Sequence, residues 1–282
     1  MGRLAFGGFF QVARSVIRSV LLVLLLLAAT VDLWIKRPRW GAEGAVWIHG
    51  WCRRIVAAMG IECSVTGTLP SAERGPVAVV SNHLSYLDIL LYSAARPFIM
   101  VSKSEVKRWP LLGRLTAQAG TVYVDRGGGP PTYPAVNAAM AEAYKSGLPV
   151  LFFPEGTTTN GSEVLPFRRG LFHSVLNNGV ELRTAALRFS LGEGNGSACV
   201  ADDVCWWGDA LFGPHIFRCL GLKGVSARIA FEETAVHGAD RFELSERARE
   251  QVLRGYEGLG REMGAERAEM TLPALAGTDV SV

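Results

Sequence analysis

Apolar positions crowd the start of the chain and then settle into short, regularly spaced runs. Ser19 to Val31 is almost wholly apolar, and extension through Leu33-Trp34-Ile35 gives 17 residues with Asp32 inside them. Arg14 and Arg18 precede the run, and Lys36, Arg37 and Arg39 follow it. A comfortable bilayer span needs about 20 apolar residues. A cleaved leader needs a small-residue exit, whereas this exit is basic and bulky. Two readings stay open: a single spanning anchor, or a helix lying on or dipping into one leaflet. Cations on both flanks give no orientation.

A second helix is expected over Trp40–Met59, where Val46, Trp47, Trp51, Ile55 and Met59 recur at spacings near three and four. With Arg53 and Arg54 beside that stripe, the segment suits a bilayer interface. Packing on a globular domain explains the same stripe equally well.

From Ile61 onward strand and helix patterns alternate. Short apolar runs predict strands at Ile61–Thr66, Val77–Val80, Phe98–Val101, Thr121–Val124, Val150–Phe153, Arg183–Phe189 and Ser226–Phe231. Helical patterns fall between them at Tyr86–Ala95, Pro110–Ala117, Tyr133–Lys145 and Leu171–Asn177. This alternation predicts an α/β fold: one domain with a largely buried mixed or parallel sheet flanked by helices, preceded by an N-terminal membrane-associated helical pair. Leu244–Met270 reads as a terminal helix with Leu244, Ala248, Val252, Tyr256, Leu259 and Met263 on one face. Gly255, Gly258, Gly260 and Gly264 interrupt it, each costing about 1 kcal/mol relative to Ala. The last dozen residues, 271–282, carry no pattern and are expected to be a disordered tail. There is no internal repeat.

Composition refines this picture. The 282 residues are 49% hydrophobic, with mean hydropathy +0.21 and a net charge of only +3, so the chain does not read as a nucleic-acid binder. The charge is uneven. Residues 1–60 carry eight Lys and Arg against Asp32 and Glu43, while the chain from Glu232 onward holds eleven acids and six Arg. A basic, oily N-terminus suggests that one end faces anionic lipid. The five cysteines (52, 63, 199, 205, 219) have no C-x-x-C spacing and support neither a disulfide framework nor a zinc site.

Three short segments carry candidate chemistry. In Ser81-Asn82-His83-Leu84-Ser85-Tyr86-Leu87-Asp88, the His and Asp lie five residues apart, about 140° on an ideal helix, and would not share a face. They can meet if His83 sits in the turn after a strand and Asp88 lies in the first turn of the next helix. Asp88 would then fix the imidazole tautomer and leave the other nitrogen to accept a proton from an alcohol, with Asn82 helping to shape the turn. Taken alone, the pair reads equally as an ordinary helix start with a first-turn acid. A metal site lacks the H-E-x-x-H spacing.

Phe153-Pro154-Glu155-Gly156-Thr157-Thr158 closes another apolar run, and its Gly and Thr157 can offer donors to an anion. Glu155 would repel phosphate and fits better as an acceptor of a substrate hydroxyl or a partner of Arg126. Leu165-Pro166-Phe167-Arg168-Arg169-Gly170 brings two further cations. The third segment, Gly120-Thr121-Val122-Tyr123-Val124-Asp125-Arg126, ends a predicted strand on an Arg able to grip phosphate bidentately. The carboxyl ends of parallel strands would collect all three. No Gly-x-Ser-x-Gly elbow occurs, which argues against a lipase.

In this order, and with Ser102-Lys103-Ser104-Glu105 and Trp109-Pro110-Leu111-Leu112-Gly113 between them, these segments resemble the conserved blocks of the 1-acylglycerol-3-phosphate acyltransferase family over about residues 60–235. The resemblance implies a glycerolipid acyltransferase domain over 60–270 behind membrane-associated helices at 1–59. It implies that His83 and Asp88 are catalytic. It also implies a substrate-binding set of Asn82, Lys103, Arg126, Glu155, Gly156 and Thr157, with no metal and no cofactor. The implied reaction moves an acyl chain from acyl-CoA or acyl-carrier protein to a lysophospholipid hydroxyl, first of all 1-acylglycerol-3-phosphate, giving phosphatidic acid. Another lysolipid acceptor, such as lyso-ornithine lipid or lysophosphatidylcholine or -ethanolamine, and a non-catalytic lipid-binding protein of the same fold are the alternatives. The partners are the lipid bilayer and the two substrates. The expected location is the inner or cytoplasmic membrane, with the site on the cytoplasmic face. The fourth block usually carries a Pro on a strand, and Arg183–Arg188 has none.

Overall fold

A computed structural model describes residues 8–73, 75–125 and 133–275, the last nine of them and Tyr133 by backbone alone. Arg126 and the Gly127–Pro131 loop lie outside the described residues, as does the tail beyond 275.

Helices α1 (Phe9–Lys36) and α2 (Ala42–Met59) lead into strand β1 (Ile61–Gly67). Strand β2 (Val77–Ser81), helix α3 (Tyr86–Ala95), strand β3 (Ile99–Lys103), helix α4 (Leu112–Gln118) and strand β4 (Val122–Val124) follow. Next come helix α5 (Tyr133–Tyr144), strand β5 (Val150–Phe152), helix α6 (Phe172–Asn177) and the long strand β6 (Glu181–Leu191). Helix α7 (Phe212–Gly221), strand β7 (Val225–Phe231) and helix α8 (Arg241–Leu275) complete the chain. No periodicity marked α7, and α8 runs five residues past the pattern that announced it.

The sheet order is β1-β7-β6-β2-β5-β3-β4, and every neighbouring pair is parallel except β6 and β7. It is therefore a mixed sheet, flanked by helices. Strand β2 lies near its middle and is buried at all five positions, which is why it reads as continuous apolar sequence rather than alternation. Strands β2, β3, β4 and β5 point the same way, so Asn82, Lys103, Asp125 and Phe153 all follow or close a strand at one edge of the sheet.

Helix α8 packs along β6, and Leu244, Ala248, Val252, Tyr256 and Leu259 of its apolar face are buried. Helix α2 buries Trp51, Ile55, Val56 and Met59 and packs on α3. The expected boundary at residue 59 thus separates elements along the chain, while α2 packs into the layered core.

Helix α1 is held at both ends. Arg14 Nε donates to Gly221 O at 2.7 Å, and Arg18 Nη1 to Leu220 O at 3.1 Å and Leu222 O at 2.8 Å, which covers the C-terminal carbonyls of α7. Near the other end, Asp32 Oδ2 accepts Trp47 Nε1 at 2.8 Å and Trp51 Nε1 at 3.0 Å, and Asp32 Oδ1 pairs with Lys36 at 3.2 Å. The two tryptophans expected at a bilayer interface are instead directed at a carboxylate of α1. A buried indole N–H needs an acceptor, and Asp32 supplies one for both. The opposite face of α1 exposes Ile17, Val20, Leu24, Leu27, Val31 and Trp34, in steps of three and four.

Candidate active site

Strand β2 delivers His83 two residues after its last ladder position, and Ser85 caps α3 in extended conformation. Asp88 becomes the third residue of α3 and turns back over the start of its helix. Its Oδ2 accepts His83 Nδ1 at 2.8 Å, Leu84 N at 2.6 Å and Ser85 N at 3.0 Å. Two otherwise orphaned backbone donors are thereby satisfied by the carboxylate that orients the ring. Asp88 is 0% exposed and His83 9%. The Phe153 ring stacks on the imidazole at 4.1 Å and 10°. Stacked on one face and tethered at Nδ1, the ring is left with Nε2, which makes no hydrogen bond among the described residues. A neutral His protonated at Nδ1 and held in this way can take a proton at Nε2.

Asn82 is 1% exposed, and its amide is engaged on β6: Nδ2 donates to Leu187 O and Oδ1 accepts Leu187 N, both at 2.9 Å. The backbone ladder between β2 and β6 ends at Ser81 and Ala185, and the Asn82 side chain adds one more rung. Both ends of the Asn82 amide are engaged on Leu187, so the side chain braces the turn after β2 against β6.

Glu155 is 3% exposed, and each carboxylate oxygen has a partner: Oε1 accepts His83 N at 2.7 Å and Oε2 accepts Leu165 N at 2.9 Å. This arrangement answers the objection that an acid would repel phosphate. The carboxylate faces inward to backbone and ties the His83 turn to the Glu155 turn. Burial pushes its carboxyl up to about 7 from the ordinary 4.5, against the opposing pull of the Leu165 and His83 N–H groups.

Gly156 has φ +74°, the left-handed region that a glycine enters without strain. A Cβ there would also lie 2.5 Å from Arg168 Nε, so the Arg168 guanidinium rests against the glycine. Gly156 N–H donates to Phe153 O at 3.2 Å and Thr159 N–H to His83 O at 3.0 Å, so these two donors serve the turn. Thr157 is exposed, and Lys103 is half-buried at the end of β3. Arg169 lies over the Phe242 ring at 4.6 Å. Arg126 follows Asp125 beyond β4, outside the described residues.

The structure also adds residues that local sequence reading missed. The stacking role of Phe153 had a signal, its place before Pro154. Leu187 had none, because it acts through its backbone from 105 positions away. Among the described residues, no three His, Cys, Asp or Glu side chains gather as a metal site.

Residues 62–188 match the Acyltransferase family. The chain is 32% identical to a 1-acyl-sn-glycerol-3-phosphate acyltransferase of Neisseria meningitidis, over 71% of this chain and 76% of that protein. It is 36% identical to a lyso-ornithine lipid O-acyltransferase of Pseudomonas aeruginosa, over 72% and 75%. The crystal structure of the 1-acyl-sn-glycerophosphate acyltransferase PlsC of Thermotoga maritima superposes with a TM-score of 0.65, covering 88% of this chain and 97% of that one, at 16% identity. That last likeness concerns the fold, and the first two concern ancestry. Together with the His–Asp geometry, they make this chain an acyl-transferring enzyme that belongs to the 1-acylglycerol-3-phosphate acyltransferase family of glycerolipid acyltransferases.

Proposed function

We propose that the enzyme acylates the free hydroxyl of a lysophospholipid, first of all 1-acylglycerol-3-phosphate, with an acyl thioester of coenzyme A or acyl-carrier protein as donor. The observation that carries this reading is the His83–Asp88 contact at 2.8 Å, with the ring edge bearing Nε2 unengaged among the described residues. In the proposed step, Nε2 takes the hydroxyl proton as the oxygen attacks the thioester carbonyl. The tetrahedral intermediate collapses, the C–S bond breaks, and the proton passes from His83 to the departing thiolate. Asp88 holds the ring and stabilises its cationic form. No covalent enzyme intermediate is needed. Lys103, Arg126 and Thr157 are proposed for the acceptor phosphate, and Lys103 closes β3 on the carboxyl edge of the sheet.

Lyso-ornithine lipid is the second reading of the acceptor, favoured by the 36% identity to the Pseudomonas protein. A panel assay separates the two: purified protein in detergent, oleoyl-CoA, and a series of lysolipids. Preference for lysophosphatidic acid supports the first reading, and preference for lyso-ornithine lipid replaces it. No transfer to any lysolipid from oleoyl-CoA or an acyl-carrier protein rejects both.

We further propose that α1 docks the enzyme on one leaflet of the inner membrane, with the site on the cytoplasmic side. Arg14 and Asp32, both tied to the same domain, lie 18 residues apart, about 27 Å of helix. A helix attached to one domain at both ends lies along that domain, and its exposed apolar face is left for lipid.

A further inference from the structure

The four glycines of α8 weaken a helix that otherwise closes the sheet. The position of Gly260 has a specific reason. A Cβ at 260 would lie 3.0 Å from both Cζ and Nη1 of Arg188, so the missing side chain makes room for a guanidinium. That guanidinium sits over the Tyr256 ring at 4.4 Å, and its Nη1 donates to Tyr256 O at 3.3 Å. The ring is itself held, because Tyr256 Oη donates to Gly161 O at 2.5 Å. Among the described residues, Nε and Nη2 of Arg188 have no acceptor, and no carboxylate pairs with the side chain.

The neighbouring strand sharpens the contrast. Arg188 on β6 stands directly opposite Arg228 on β7. Like charges facing each other across a ladder are unfavourable. Arg228 is neutralised by Glu266 of α8, through Nη1 at 2.9 Å and a second contact from Nη2. Arg188 has no such partner among the described residues. It lines a cavity of about 320 Å³ that is also lined by Leu84, the residue after His83, and by Ser162 and Val200. That volume falls at the small end of ligand sites and suits a head group or part of a larger molecule.

We propose that the Arg188 cavity is a substrate subsite for a phosphate or carboxylate group, carried by the lysolipid acceptor or by the pantetheine-bearing donor. The inference rests on the acyl-transfer reading above. The guanidinium, with no carboxylate partner among the described residues, supplies the charge, the Tyr256 ring lies against it, and Leu84, next in sequence to the proposed base, lines the same cavity. Charge-assisted pairing of this kind is strong and directional.

The test measures KM for both substrates, lysophosphatidic acid and oleoyl-CoA, in wild type, Arg188→Gln, Arg188→Lys and Gly260→Ala. In Arg188→Gln, KM for one substrate is expected to rise about ten- to hundredfold with kcat within a few-fold. Arg188→Lys is expected to recover part of that loss. Gly260→Ala removes a helix-weakening glycine and asks the guanidinium to move by only a few tenths of an ångström, so its expected result is a smaller rise in the same KM in a protein that melts no lower than wild type. A rise confined to lysophosphatidic acid identifies the acceptor's anion, and one confined to oleoyl-CoA the donor's. Unchanged KM for both in a folded Arg188→Gln overturns the subsite. If wild type transfers no acyl group, the functional reading fails on its own. Direct titration with coenzyme A and with sub-micellar lysophosphatidic acid still decides the subsite: weaker binding of one ligand in folded Arg188→Gln supports it, and equal binding of both rejects it.

Discussion

Glu155 accepts the backbone N–H of His83 at 2.7 Å, although the two residues lie 72 positions apart. The turn bearing the imidazole is thus braced from two sides, by Glu155 on its backbone and by Asp88 on its ring. The brace is titratable, which gives the first prediction its sign. Glu155 keeps its proton in the folded protein up to about 7, whereas an ordinary Glu loses it near 4.5. Between those values the unfolded chain binds fewer protons than the folded one, so the Glu155 contribution to stability falls as pH rises through that window and is level above it. Glu155→Gln removes that dependence. It also leaves one backbone N–H, of His83 or Leu165, without an acceptor, at a cost of about 1–3 kcal/mol. Denaturant unfolding of both proteins across the window tests this. The stability difference, wild type minus variant, is expected to shrink with rising pH; a constant difference would refute the assignment.

His83→Ala is expected to abolish acyl transfer while the fold persists, since the ring contributes one stacking contact and one hydrogen bond to Asp88, whose Oδ2 keeps the Leu84 and Ser85 N–H groups. Asp88→Asn is expected to slow transfer by about 10²–10⁴-fold, through loss of ring orientation and of the charge opposite the imidazolium. It also weakens the hold on Leu84 and Ser85 N–H, so a lower melting temperature accompanies the slower rate. Rapid transfer by His83→Ala would remove His83 as base.

Arg126→Ala is expected to raise KM for the acceptor more than for the thioester, because a phosphate grip acts in ground and transition states alike. Steady-state kinetics with each substrate varied in turn checks this. A rise confined to the thioester would move Arg126 to the donor, and Arg168, which rests against Gly156, would become the next candidate for the acceptor anion.

Asp32→Leu makes α1 more apolar, yet it is expected to destabilise the protein. The change leaves the indole N–H groups of Trp47 and Trp51 without their acceptor, at about 1–3 kcal/mol for each that stays buried. Thermal unfolding in detergent and tryptophan fluorescence report it. An unchanged melting temperature would show that the cluster does not hold α1 to α2.

Ile17→Asp with Leu24→Asp places charges on the exposed face of α1 and touches no contact with α2 or α7 that involves Asp32, Arg14 or Arg18. Flotation with vesicles rich in anionic lipid is expected to show release of the variant at low and high salt, with its circular dichroism unchanged. A variant that still floats at high salt would assign the apolar contact to another surface.

The alternation of short apolar runs with helical stripes determined the class of fold, because a strand buried on both faces needs apolar residues throughout and Val77–Val80 supplies them. The His83–Asp88 pairing was legible for a local reason: five residues across a strand-to-helix turn bring the two side chains together whatever lies further along the chain. Distant contacts were not legible. Whether Glu155 faced phosphate or backbone, and whether Asn82 faced substrate or β6, depended on which groups packing placed within hydrogen-bonding reach. In the sequence Asp32 stood inside an apolar run with no role assigned to it; the fold brought Trp47 and Trp51 to it. Gly260 read only as a weak point in α8. Its use emerged when β6 set Arg188 against that helix, because a missing side chain acquires a purpose only from the atoms that fill its space.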